Sequence, residues 1–113
     1  MFDDVTTQAL QVALAGLNAR QRVTADNIAN SETPGFTATN VSFESSLAAA
    51  LQSGDPGTAA ISEDPAGGPA GANGNNVDLA AQITTASKTV LQEELLTGAF
   101  TSQLGLLGSV LKV

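Results

Sequence analysis

Ala25-Asp-Asn-Ile-Ala-Asn-Ser-Glu-Thr-Pro-Gly-Phe36 is the stretch whose reading decides the fold. Ile28 closes a helical apolar pattern that begins near residue 4. Asn30 can take the left-handed conformation that ends a helix. Thr33 precedes a proline and is pushed out of the helical region. Pro34-Gly35 then suits the two central positions of a type II turn, where proline fixes φ and glycine accepts φ > 0. Asn27 and Asn30 are read as satisfying backbone groups at the helix end. Asp26, four residues after Arg22, makes at most a weak surface pair. Phe36 restarts an apolar run.

Working back toward residue 4, Leu10, Leu14, Leu17, Gln21, Thr24 and Ile28 recur at spacings of three and four, which predicts one helix over residues 4–30. Ala9, Ala13 and Ala25 widen its apolar face. Gly16 lies inside it at a cost of up to ~1 kcal/mol relative to alanine, which a close backbone contact or simple tolerance would explain.

Working forward, residues 36–43 read as a short extended piece in which Val41 and Phe43 alternate with polar neighbours. Ser42 is placed to cap a short helix from Phe43 to about Gln52, with Phe43, Leu47, Ala50 and Leu51 on its apolar side and Gly54 as its stop. Residues 53–76 then change character. They are rich in glycine and proline, and Ile61 is their one large apolar residue. Such a segment buries too little surface to offset chain entropy, so it is expected to be a flexible linker mostly without fixed structure.

A second long helix is predicted over residues 77–113, with Asn76 or Asp78 as its cap. Leu79, Ile83, Ala86, Val90, Glu93, Thr97, Phe100, Leu104, Leu107 and Leu111 follow an alternating four-three spacing, broken only by Glu93 and Thr97, as in a coiled-coil seam. The expected fold is therefore all-α. Two long terminal helices pack as a coiled-coil-like hairpin, with a short extended and helical piece after the first helix and a flexible Gly/Pro-rich linker before the second. Residues 1–52, 53–76 and 77–113 are its three parts, together one domain. The expected assembly seam comprises Leu10, Leu14 and Leu17 with Leu79, Ile83, Val90, Phe100, Leu104, Leu107 and Leu111.

Composition excludes several classes of function. The net charge is −7, with only four lysines and arginines and no basic stripe, so a phosphate backbone finds no partner surface. There is no histidine and no cysteine, which removes the commonest general base, the commonest metal ligand and any disulfide. Asp3/Asp4, Glu63/Asp64 and Glu93/Glu94 are adjacent pairs, and neighbours in a helix do not face one point. No catalytic, cofactor or metal site is expected, and no small-molecule substrate. No apolar run approaches the ~20 residues that span a bilayer. The acidic start Met1-Phe-Asp-Asp4 lacks the basic flank and apolar core of a signal peptide. With four Phe, no Trp and no Tyr, the chain has few side chains for a thick core and is expected to complete its packing against partners.

Ala25, Asn27, Ile28, Ala29, Asn30, Thr33, Pro34, Gly35 and Phe36, preceded by Leu17-x-x-Arg20, resemble the N-terminal signature of flagellar basal-body rod and hook proteins. Gly74-Asn-Asn-Val-Asp-Leu79, opening a long terminal helix, is a second matching block, similar to the short proximal rod members. The resemblance implies a structural rod subunit that transmits torque from motor to hook for motility. It also implies export by the flagellar type III apparatus without a cleaved signal, and a place in the basal body. The implied partners are copies of itself, other rod proteins and the MS-ring and export-gate components at the rod base. Gln82-Ile83, Glu93 and Thr37 depart from the family pattern of Glu-Met, Tyr and a basic residue. The alternative is a small secreted or cytoplasmic helical hairpin acting as an interaction module or chaperone.

Overall fold

The computed structural model describes residues 4–111, and side-chain surroundings for residues 5–102. The elements run α1 (Asp4–Ala29), β1 (Thr39–Ser42), α2 (Glu44–Gln52), a 3-10 turn (Pro56–Thr58), β2 (Ser62–Pro65) and α3 (Leu79–Leu111). Both expected long helices are present. They lie antiparallel, with Asn27 of α1 bonded to Gln82 of α3 at one end. Leu10 and Leu14 meet Leu96 and Phe100 toward the other. The molecule measures 65 × 26 × 14 Å. Its smallest dimension barely exceeds the ~10–12 Å diameter of one helix, so it is a single layer of helices with a thin core.

The local stop signals behave as their chemistry dictates. Gly35 has φ +73°, and the Phe36 N–H donates to the Thr33 carbonyl at 3.3 Å, which closes a type II turn. Gly54, at φ +83°, ends α2 in a Schellman motif: its N–H donates to Leu51 O at 3.1 Å and that of Asp55 to Ala50 O at 3.0 Å. Two expectations about caps need correction. No residue other than glycine has positive φ among the described residues, so Asn30 does not take the left-handed form. It ends α1 by folding its amide back onto the Asp26 carbonyl at 2.9 Å. Ser42 belongs to β1, and the residue before α2 is Phe43, whose N–H is met by the Glu44 carboxylate at 3.3 Å.

The fold is not all-α. Residues 53–76, expected to lack fixed structure, hold the 3-10 turn and β2. β2 pairs antiparallel with β1, from Thr39 opposite Pro65 to Ser42 opposite Ser62. The proline is tolerated because both backbone groups of Thr39 bond to α1 instead, so no ladder bond requires a Pro65 N–H.

Both long helices are rotated from the expected seam. On α3, Gln82 and Thr89 are buried and Ala86, Glu93, Leu96 and Phe100 half-buried, whereas Leu79, Ile83 and Val90 are exposed. The four-three rhythm is kept, but Gln82, Thr89 and Leu96 replace Ile83, Val90 and Thr97. Thr89 is 0% exposed because its hydroxyl donates to Thr85 O at 2.7 Å, leaving its methyl as the packing group. On α1, Leu17 and Thr24 are buried as expected, Leu14 and Ala25 are exposed, and Val23 and Asn27 turn inward. Leu104, Leu107 and Leu111 belong to α3, but their side chains lie outside the described residues.

The apolar core gathers Leu17, Val23, Val41 and Phe43, with Ala13, Ala19, Leu47 and Leu96 packed around it. Phe43 rests on Gly16, where an added Cβ would stand 2.4 Å from the ring. Close contact, not tolerance, accounts for that glycine. Gly98 faces open space. Gly16→Ala is therefore expected to lower stability by about 1–3 kcal/mol through overpacking, and Gly98→Ala to raise it by up to ~1 kcal/mol; urea unfolding midpoints check the opposite signs.

Candidate functional site

Two side chains of α1, seven residues apart, close the free edge of β1. Asn27 pairs with Thr39 as a neighbouring strand would. Its Nδ2 donates to Thr39 O at 2.8 Å, and its Oδ1 accepts from the Thr39 N–H at 3.1 Å. The second Nδ2 hydrogen goes to Gln82 Oε1 at 3.0 Å, so one amide, 1% exposed, joins α1, β1 and α3. Two turns earlier, Arg20 donates to Val41 O at 2.8 Å. It also grips Glu44 with both nitrogens, at 2.6 and 2.8 Å, and lies 5.0 Å from the Phe43 ring centroid. A planar fork is needed to do all three at once.

Beyond α1, the Pro-Gly turn is bonded to the segment that leads into α3. The Gly35 N–H donates to Asn73 O at 2.9 Å and the Asn76 N–H to Phe36 O at 3.3 Å. Asn75 Nδ2 reaches Asn30 O and Thr33 O at 2.8 and 2.7 Å, as a second donor to carbonyls that already accept from the Thr33 and Phe36 N–H groups. Asn76 accepts from the Ala38 N–H at 2.6 Å and donates to Ala66 O at 3.0 Å. It is thus a bridge, and the cap of α3 is Asp78, whose carboxylate accepts from the Ala81 N–H at 3.1 Å. The two sequence blocks singled out above are hydrogen-bonded to each other.

Of the expected motif residues, Asn27 is buried, Ile28, Asn30 and Phe36 are half-buried, and Ala25, Ala29, Thr33, Pro34 and Gly35 are exposed. Asn27 satisfies a strand and a second helix, not the end of α1. Arg22 pairs with Glu63 of β2 at 2.7 Å instead of with Asp26, so Glu63 is not simply a solvated charge. Leu79, Ile83, Val90, Leu91 and Leu95 of α3 are exposed, Leu95 to 78%. No cluster of acidic residues suited to a metal ion occurs among the described residues, and no helix there is long and apolar enough to cross a membrane.

Residues 8–37, which span most of α1 and the Pro-Gly turn, match the family model described as flagella basal body rod protein. Over that stretch the chain is similar to flagellar basal-body rod proteins. The family is a structural component of the flagellar rod, not an enzyme family, and its place is the basal body. A comparison with curated proteins finds no match. The matched residues include Arg20 and Asn27 and stop one residue past Phe36. Their partners Glu44, Asn73, Asn75, Asn76 and Gln82 lie beyond it, and the pairing becomes visible only through the fold. Arg20 stood beside the motif in sequence, but Glu44, 24 residues away, gave no sign of pairing with it.

Two outcomes are expected. Asn27→Ala strands the Thr39 backbone and Gln82 Oε1 in a buried site and should cost about 2–4 kcal/mol, measured by denaturant unfolding. The Arg20 hydrogen bonds hold the Glu44 carboxyl down at about 2, from an ordinary 4.5. A lowered folded-state value contributes stability above the unfolded value, and that contribution is lost as pH falls through the folded one. The stability difference between wild type and Glu44→Gln should therefore be constant above about pH 5.5 and shrink between about pH 4.5 and 2. It should be modest, because the Glu44 side chain is 54% exposed and solvent screens the pair.

Proposed function

We propose that the protein is a structural subunit of the proximal part of the flagellar rod, assembled through its two long helices into the shaft that transmits torque from motor to hook. The observation that carries this reading is the junction itself. The turn that closes the matched rod segment is hydrogen-bonded to the residues that open α3, so the two helices are presented as one rigid unit with an apolar face left over. In this reading residues 1–52, 53–76 and 77–113 act as one domain. Leu10, Leu14, Leu17, Leu79, Ile83, Val90, Phe100, Leu104, Leu107 and Leu111 serve assembly, whether within the subunit or between subunits. The neighbours are further copies, other rod proteins and the MS-ring and export-gate components at the rod base. Export is by the flagellar type III apparatus.

The exposed positions of α3 provide the test. Ile83 and Leu91 are 52% and 66% exposed, so a double Ile83→Asp, Leu91→Asp variant should keep the isolated subunit within about 1 kcal/mol of wild-type stability. In a cell lacking the wild-type gene it should abolish swimming and be missing from purified basal bodies, because two carboxylates would be buried at a packed interface. Normal swimming by cells that carry no copy of the gene would refute the rod assignment.

A further inference from the structure

The loop that holds the turn also carries a reactive dipeptide. Asn73-Gly74 is exposed, and Gly74 has φ +80° and no side chain to shield its nitrogen. The Asn73 side-chain oxygen already accepts from the Asn75 N–H at 3.1 Å. That bond folds the side chain along the chain toward Gly74 and withdraws electrons from its carbonyl carbon. We propose that Asn73 is a site of spontaneous, uncatalysed deamidation and that its conversion loosens the junction between the Pro-Gly turn and α3. The Gly74 nitrogen attacks Asn73 Cγ. The new C–N bond closes a succinimide and the side-chain amide leaves as ammonia, carrying the proton lost from Gly74. Water then opens the ring at either carbonyl, giving aspartate or isoaspartate. Attack requires the Gly74 N–H to give up its bond to Gly71 O, 2.9 Å long, so the folded loop reacts more slowly than the unfolded chain.

The consequence follows from what surrounds Asn73. Its backbone oxygen accepts from the Gly35 N–H. In the isoaspartyl product that oxygen becomes part of a free carboxylate, and the main chain runs through Cβ and Cγ, one atom longer. Asn75, two residues on, must then leave the carbonyls of Asn30 and Thr33, which it meets at 2.8 and 2.7 Å. Asn30-Ser31 and Asn40-Val41 have no glycine after the asparagine, and Asn27-Ile28 is buried at its asparagine.

The full chain, incubated at neutral pH and physiological temperature, should lose amide at Asn73 ahead of every other asparagine. Peptide mass mapping with isoaspartyl methyltransferase labelling reads the site and the product. Hydrogen exchange on the converted fraction should show faster exchange at residues 30–36. Incubation in urea should accelerate conversion, and Asn73→Gln should suppress it while leaving fresh protein folded. Conversion spread over other asparagines, or an amide retained at Asn73 even in urea, overturns the site. Conversion with unchanged exchange at residues 30–36 overturns the coupling to the junction.

Discussion

The side-chain amide of Asn27 is the constraint on which the rest of the structure depends. A two-stranded sheet is marginal on its own, and an open strand edge exposes unpaired backbone groups. Here the edge of β1 is covered by a helix, and the covering is made of specific bonds. Asn27 takes both backbone groups of Thr39, and Arg20 takes the carbonyl of Val41. The remaining amide hydrogen fixes Gln82 and so sets the rotation of α3. Sliding α3 by one turn would leave that buried amide without its partner, a loss that an all-leucine seam would not impose. A single buried polar group selecting register is a known device of helical pairs.

These bonds let a chain with four phenylalanines and no tryptophan or tyrosine hold a defined shape. In a layer 14 Å thick little area can be removed from water, and specific hydrogen bonds carry more of the definition than bulk burial does. Phe43 is the exception. Seated on Gly16 and covered by the Arg20 guanidinium, it anchors the strand and α2 to the middle of α1.

Much of this was legible in the sequence where the signal is local. The extent of α1 follows from its apolar spacing and the extended piece containing Val41 from its alternation, while the Pro34-Gly35 turn and the stop at Gly54 follow from backbone preferences of single residues. What was not legible depended on distant partners. Ser62–Pro65 has no apolar alternation, and its strand exists because β1 offers it a ladder. The seam of α3 was misplaced by one residue because pattern reading follows Ile83 and Val90, whereas the interface is decided by Gln82 and Thr89. The matched rod segment was visible as a string, but its hydrogen-bonded partners were not, since Asn73, Asn75 and Asn76 resemble any turn-forming run until α1 is set beside them.

The outward face of α3 also bears on how the free subunit behaves before it meets its neighbours. It displays Leu91 and Leu95 on a molecule of net charge −7. Apolar contact acts only at touching distance, while like-charge repulsion reaches out to a Debye length of about 8 Å at physiological ionic strength. Approaching copies therefore meet an electrostatic barrier before any leucine can engage. The net acidity of the chain thus acts as a kinetic brake on premature association, one whose strength is set by the salt around it.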